Sequence, residues 1–148
     1  MNDMRELYEQ MILDHNRNPH NFMLELEGEV RSAYGFNPIC GDEFTVQLKV
    51  EDGIVTEASF DGAGCAISTA SASLMTDAVK GKTVPEVREL FKRMHTLLTT
   101  GEKGETEFGK LRILERVREH PIRIKCATLA WHTMNAALEN SQNTVCTE

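Results

Sequence analysis

The sequence predicts an α+β fold: a small antiparallel three-stranded sheet packed against about five helices. Two observations carry this. Segments whose apolar residues alternate with a period of two come early, and segments with a helical period follow them. A third is the length of 148 residues, which suits one domain of ordinary size.

The first element is a helix. Residues 3–16 place Met4, Leu7, Tyr8, Met11 and Ile12 on one stripe, with Asp3 as N-cap and Glu6 following at capping-box distance. Pro19 disfavours helical geometry at Asn18 and ends it. Val30–Phe36 reads as a strand with poor alternation. Phe44–Val50 is clearer, since Phe44, Val46, Leu48 and Val50 alternate with Thr45, Gln47 and Lys49. Ile54–Phe60 alternates too, with Ile54, Ala58 and Phe60 on one side.

The two clear strands are joined by Glu51-Asp52-Gly53. A two-residue Asp-Gly loop pairs Val50 with Val55 and sets Leu48 against Glu57. A three-residue loop pairs Val50 with Ile54, Val46 with Ala58 and Phe44 with Phe60, keeping the apolar sets on one face. The second register is therefore expected. Extended outward, it brings Cys40, Asp42 and Cys65 to one end of the sheet, with Asp42 opposite Gly62 and Cys40 opposite Gly64.

From Cys65 the pattern turns helical through about Lys80 and stops at Gly81. Thr83 caps the next helix, with Pro85 and Glu86 in its first turn and Leu90, Met94 and Leu97 on its apolar face. Thr99–Gly109 reads as a polar loop and Leu111–Arg118 as a shorter helix. The last helix runs from near Pro121 to about Glu139. Met75, Met94 and Met134 fit core faces. One domain over residues 1–140, with a flexible tail over 141–148, accounts for the whole chain.

Composition narrows the function. With 41% apolar and 26% charged residues the chain is globular, and its net charge of −7 argues against nucleic acid as a partner. No apolar run approaches the ~20 residues that span a bilayer, and the charged start MNDMRELYEQ lacks a signal-peptide core. These features predict a cytoplasmic protein with reduced thiols. Its four cysteines, Cys40, Cys65, Cys126 and Cys146, then read as ligands, nucleophiles or buried apolar residues rather than disulfides.

Three short segments hold the chemistry: NPICGD (37–42), DGAGCAIS (61–68) and RIKCATLAW (123–131). In the first, Asn37-Pro38 and Gly41 demand a sharp turn, and Cys40 and Asp42 can reach one ion. In the second, Cys65 opens a helix, where free N–H groups favour a thiolate. In the third, Cys126 shares a helical stripe with Ile122, Leu129 and Thr133 and is expected to face inward. Three cysteines and an aspartate suit zinc or iron. Against this, Cys65 and Cys126 also fit the alternative of small core residues, whereas a Gly/Pro turn is a poor place for a core side chain at Cys40. Arg123 and Lys125 flank Cys126 as solvated cations or as partners for a thiolate or Asp42. His15, His20, His95 and His120 lie in polar contexts and read as solvated, His132 points away from Cys126, and Cys146 reads as an incidental thiol in the tail.

Together these segments resemble the U-type iron–sulfur cluster assembly family (IscU, the NifU N-terminal domain and SufU), from about Leu7 to Leu138. The resemblance implies that Cys40, Asp42, Cys65 and Cys126 hold zinc or a nascent cluster. It further implies a pyridoxal-phosphate-dependent cysteine desulfurase as partner, with other iron–sulfur assembly proteins alongside it. Lys125 stands where the scaffold branch has His before the third cysteine. His120-Pro121-Ile122-Arg123-Ile124-Lys125 replaces its chaperone motif, and the segment around Thr99–Arg118 is longer. All three features resemble the SufU branch, which implies a zinc-bound sulfurtransferase that takes persulfide sulfur. In that role Cys40 is the expected acceptor and Arg123 a helper that steadies Asp42. The alternatives are a scaffold assembling a [2Fe–2S] cluster on Cys40, Cys65 and Cys126, and a structural zinc domain.

Overall fold

A computed structural model describes residues 2–102, 108–140 and 145–146, with the side chains of residues 2–8 and 110 excepted. The elements run α1 (Asn2–Arg17), β1 (Arg31–Asn37), β2 (Asp42–Glu51), β3 (Ile54–Ala63), α2 (Ala66–Val79), α3 (Val84–Thr100), a 3-10 segment (Gly109–Glu119), α4 (Pro121–Leu138) and β4 (Val145–Cys146). The class is the expected α+β, with one more strand than the sequence suggested. β4 pairs in parallel with β1, giving a sheet ordered β3-β2-β1-β4. That strand lies within the stretch read as a tail, and two residues are too few for a periodic signal.

The central hairpin departs from the expected register. Glu51 pairs with Ile54 and Val50 with Val55, so the loop is the two-residue Asp52-Gly53, both at positive φ. This is the backbone that a tight hairpin turn needs and that Asp-Gly adopts readily. A bulge between Lys49 and Val50 then shifts the pairing, so that Leu48 meets Ala58, Val46 meets Phe60 and Phe44 meets Gly62. The bulge achieves what the three-residue loop was invoked for, since the apolar residues of both strands share one face beyond it. The tip shows the cost: Val55 is buried there, and Ile54 is exposed. Strand pairing ends at Glu43–Ala63, so Asp42 lies beside Gly64 rather than opposite Gly62.

The helices cover one face of the sheet. α4 lies across β1 and β2, while α2 packs beside it against β3. Gly35 of β1 permits the close approach of α4, because a Cβ there would meet Thr133 Oγ1 at 2.1 Å. Trp131, Phe44, Phe60, Leu48, Met75, Met94, Leu129 and Met134 fill the core. α2 is buried despite its serines because each hydroxyl finds a partner. Ser71, for example, donates to the Ala127 carbonyl at 2.6 Å and accepts the Trp131 indole N–H at 3.1 Å.

The helix boundaries follow the sequence signals closely. Cys65 caps α2, and Thr83 with Glu86 forms a complete capping box on α3. α3 continues to Thr100 and stops at Gly101 in the left-handed conformation, so the expected polar loop begins later than Thr99; residues 103–107 of that loop lie outside the described ones. In α1, Met11 and Ile12 are partly buried, whereas Met4, Leu7 and Tyr8 fall outside the described side chains. Among the described residues no helix is long and apolar enough to cross a membrane.

Candidate metal centre

The site forms where β2 begins, α2 begins and the first turns of α4 pass over them. The turn that carries Cys40 is held by a residue the sequence reading used only as a turn former. Asn37 is buried, and its Oδ1 accepts the backbone N–H groups of Ile39 (3.0 Å) and Cys40 (3.4 Å). The Gly41 N–H closes the turn onto the Asn37 carbonyl at 2.8 Å. A side-chain amide doing the work of a backbone carbonyl is the reason Asn recurs in such turns.

Asp42 is only 1% exposed, which demands partners for its carboxylate. Its Oδ1 accepts the Cys65 backbone N–H at 2.9 Å, and its Oδ2 accepts the Ser68 hydroxyl at 2.5 Å. The Cys65 thiol lies 4.0 Å from the same Oδ2. Gly64 leaves room for this carboxylate, since a Cβ there would stand 3.0 Å from Asp42 Oδ1 and 2.9 Å from the Phe44 ring. The Cys65 Sγ accepts the Ser68 N–H at 3.4 Å, so this sulfur sits at a helix N-terminus as expected.

Cys126 is buried, as its stripe predicted, and its Sγ lies 2.9 Å from that of Cys40. Burial, foremost, and then the hydrogen bond with Cys40 push the Cys126 thiol well above the ordinary thiol range; the nearby Cys65 and Asp42 add to the effect. A pocket that gathers like charges and raises a thiol in this way is one that a cation would relieve. Ligand atoms of Cys40, Asp42 and Cys126 all lie within 4.8 Å of one another. Thiolate sulfur with one carboxylate oxygen is a donor set that zinc and iron accept, so the residues fit such a metal. Cys65 stands at the edge of this trio, linked to it through Asp42.

Not every expected residue joins the cluster. Arg123 is exposed and lines a neighbouring cleft of about 720 Å³, together with Ile12, Ile67, Val117, Pro121 and Ile122. Ile122 is 65% exposed, so the inward stripe of α4 begins only at Cys126. Ile39, beside Cys40, is 67% exposed. Cys146 is exposed and lies beside Phe36 in the β4 pairing. His132 is turned away from Cys126, as the helical period required, against Phe91 and His95. Of the two early histidines, His15 differs from its reading as solvated: it is buried against the Ser73 hydroxyl at 2.7 Å and ties α1 to α2. His20 is exposed as expected, although it pairs with Asp77 of α2. Sequence reasoning missed Ser68 altogether. Its signal was present: it stands three residues after the N-capping Cys65, where a polar side chain often turns back on the cap.

A sheet-and-helix domain with cysteines and an aspartate gathered at one end has the donor set of a metal–thiolate site. Comparison with known proteins then gives the lineage. The family described as NifU-like N terminal domain matches residues 7–147. The zinc-dependent sulfurtransferase SufU of Bacillus subtilis (strain 168) is 36% identical over 137 residues, covering 92% of each chain. The iron–sulfur cluster assembly scaffold protein IscU of Thermotoga maritima is 37% identical over 133 residues, 90% of this chain and 93% of its own. The N-terminal part of a nitrogen-fixing NifU-like protein from Brucella abortus superposes with a TM-score of 0.78 at 26% identity, covering 93% of this chain and 95% of its own. This chain belongs to the NifU-like N-terminal domain family, the family of IscU and SufU.

Proposed function

We propose that this protein accepts sulfur from a cysteine desulfurase in iron–sulfur cluster biogenesis, with zinc held by Cys40, Asp42, Cys65 and Cys126. The observation that carries the reading is the convergence of Cys40, Asp42 and Cys126 ligand atoms within 4.8 Å, with Cys65 adjoining through Asp42. Zinc bound there supplies the positive charge that keeps thiols deprotonated near neutral pH.

Cys40 is the acceptor in this reading, because its turn is partly open to solvent whereas Cys126 is buried. Its thiolate attacks the outer sulfur of the donor's persulfide. A new S–S bond forms at Cys40 as the donor's S–S bond breaks; the donor departs as a thiolate, and the hydrogen stays on the transferred sulfur. Arg123, one turn before Cys126, lines the neighbouring cleft, and in this reading it meets negative charge that arrives there. The exposed Ile39 and Ile122 and the apolar cleft wall favour a protein as the sulfur donor, since exposed apolar residues around a site mark contact surfaces. A cytoplasmic location agrees with thiols that must stay reduced.

The test is to incubate the protein with a pyridoxal-phosphate-dependent cysteine desulfurase and cysteine, then map persulfides by mass spectrometry without reductant. One added sulfur on the peptide carrying Cys40, absent in Cys40→Ala, is expected. Sulfur confined to the desulfurase sinks the assignment. A second reading, a scaffold on which a [2Fe–2S] cluster is assembled, is favoured by the 37% identity to a protein named as a scaffold. It predicts visible absorption after anaerobic reconstitution with iron and sulfide, which zinc does not give.

A further inference from the structure

Ser68 occupies the third position of α2, is fully buried, and has one hydroxyl proton to give. Three acceptors surround that proton: Asp42 Oδ2 at 2.5 Å, the Cys126 carbonyl at 3.1 Å and Cys65 Sγ at 3.3 Å. The shortest contact is to the carboxylate, as expected when the acceptor is charged. Each oxygen of Asp42 thus has its own donor, the Cys65 backbone N–H on Oδ1 and the Ser68 hydroxyl on Oδ2. Two donors on two oxygens fix the carboxylate plane, because rotation about the Cβ–Cγ bond would break both bonds at once. That plane decides which edge of Asp42 faces the Cys40 and Cys126 sulfurs.

We propose that Ser68 is a positioning residue of the metal centre, holding Asp42 in the orientation in which its carboxylate ligates. The inference rests on the reading of Cys40, Asp42, Cys65 and Cys126 as metal ligands. Ser68 itself touches no metal, and it acts only through Asp42. Its backbone role is separate: the Ser68 N–H that binds Cys65 Sγ remains when the hydroxyl is removed. Ser68→Ala therefore deletes the carboxylate's support and leaves the helix cap in place. Partners of this kind orient ligands, and their loss costs roughly 10–100-fold in metal affinity.

The experiment is a double-mutant cycle on zinc affinity, read by competition with a chromophoric chelator. Wild type, Ser68→Ala, Asp42→Ala and the double variant are compared, with visible spectra of their cobalt(II) forms as a second readout. Ser68→Ala is expected to weaken zinc about 10–100-fold and to shift the cobalt ligand-field bands. In the Asp42→Ala background the same change is expected to add nothing, because the group that Ser68 positions is gone. Unchanged affinity and spectrum in Ser68→Ala overturn the inference. So does an equal loss in both backgrounds, which identifies a packing effect and separates it even if Ser68→Ala also lowers thermal stability. Wild type that binds neither ion overturns the metal reading itself, and the inference falls with it. Tight wild-type binding that is lost in Cys40→Ala but insensitive to Ser68→Ala leaves the metal reading standing and removes only Ser68.

Discussion

The sulfur atoms of Cys40 and Cys126 lie 2.9 Å apart although 86 residues separate them in the chain. One is set by a turn before β2 and the other by the second turn of α4, so their approach depends on how α4 crosses the sheet. The pair exists only in the folded domain, and a metal that bridges it ties metal binding to folding.

Loss of either sulfur should abolish tight zinc binding. Cys126→Ala leaves a small cavity and a site short of one soft ligand. The expected result is at least a hundredfold weaker zinc competition, together with loss of the rise in melting temperature expected when zinc is added to the wild type. Calorimetry with and without zinc checks both.

Asn37→Ala removes the acceptor for the Ile39 and Cys40 N–H groups. The two donors are only partly buried, so losing their acceptor costs about 0.5–1.5 kcal/mol for each bond. We expect a lower urea midpoint with an unchanged slope, and faster alkylation of Cys40 as its turn loosens.

Gly64→Ala drives a methyl group to 2.9 Å from the Phe44 ring and 3.0 Å from Asp42 Oδ1. Both neighbours are buried, so the carboxylate must turn away from the Cys65 N–H. Weaker zinc binding with only modest loss of thermal stability is the expected outcome. Gly53→Ala, at the far end of the sheet, should leave zinc binding unchanged.

His132 provides a prediction about pH. Burial, and then the neighbouring His95, push its pKa below the ordinary histidine value of 6.5. The unfolded chain therefore takes up this proton more readily than the folded one. Above about pH 6.5 the group is neutral in both states and does not affect stability. As pH falls below that value the unfolded state gains the proton first, and stability declines until the folded pKa is passed. His132→Gln should flatten the decline in melting temperature over that interval. An unchanged pH profile would show that His132 does not govern it.

How much of this was legible in the sequence depends on the range of each interaction. The helix start at Cys65 and the cap at Thr83 were readable because such signals are written in adjacent residues. The three segments that build the centre were readable because turn and ligand residue types cluster in them. The hairpin register was not, because alternation fixes only which face a residue occupies. A two-residue turn followed by a bulge and a three-residue turn preserve the same faces, and only the exposed Ile54 distinguishes them. The burial of His15 was hidden for another reason, since its partner Ser73 lies 58 residues away on a helix whose serines resemble solvent-facing ones. Ser68 was hidden likewise, because its importance comes from Asp42, brought to it by the sheet.

The most direct test of the account is the metal content of protein purified anaerobically without added metal, taken together with its effect on a cysteine desulfurase. About one zinc per chain, little iron or labile sulfide, and stimulation of the desulfurase that disappears in Cys40→Ala are expected. Stoichiometric iron and sulfide with no stimulation would contradict it and make the protein a scaffold for the cluster.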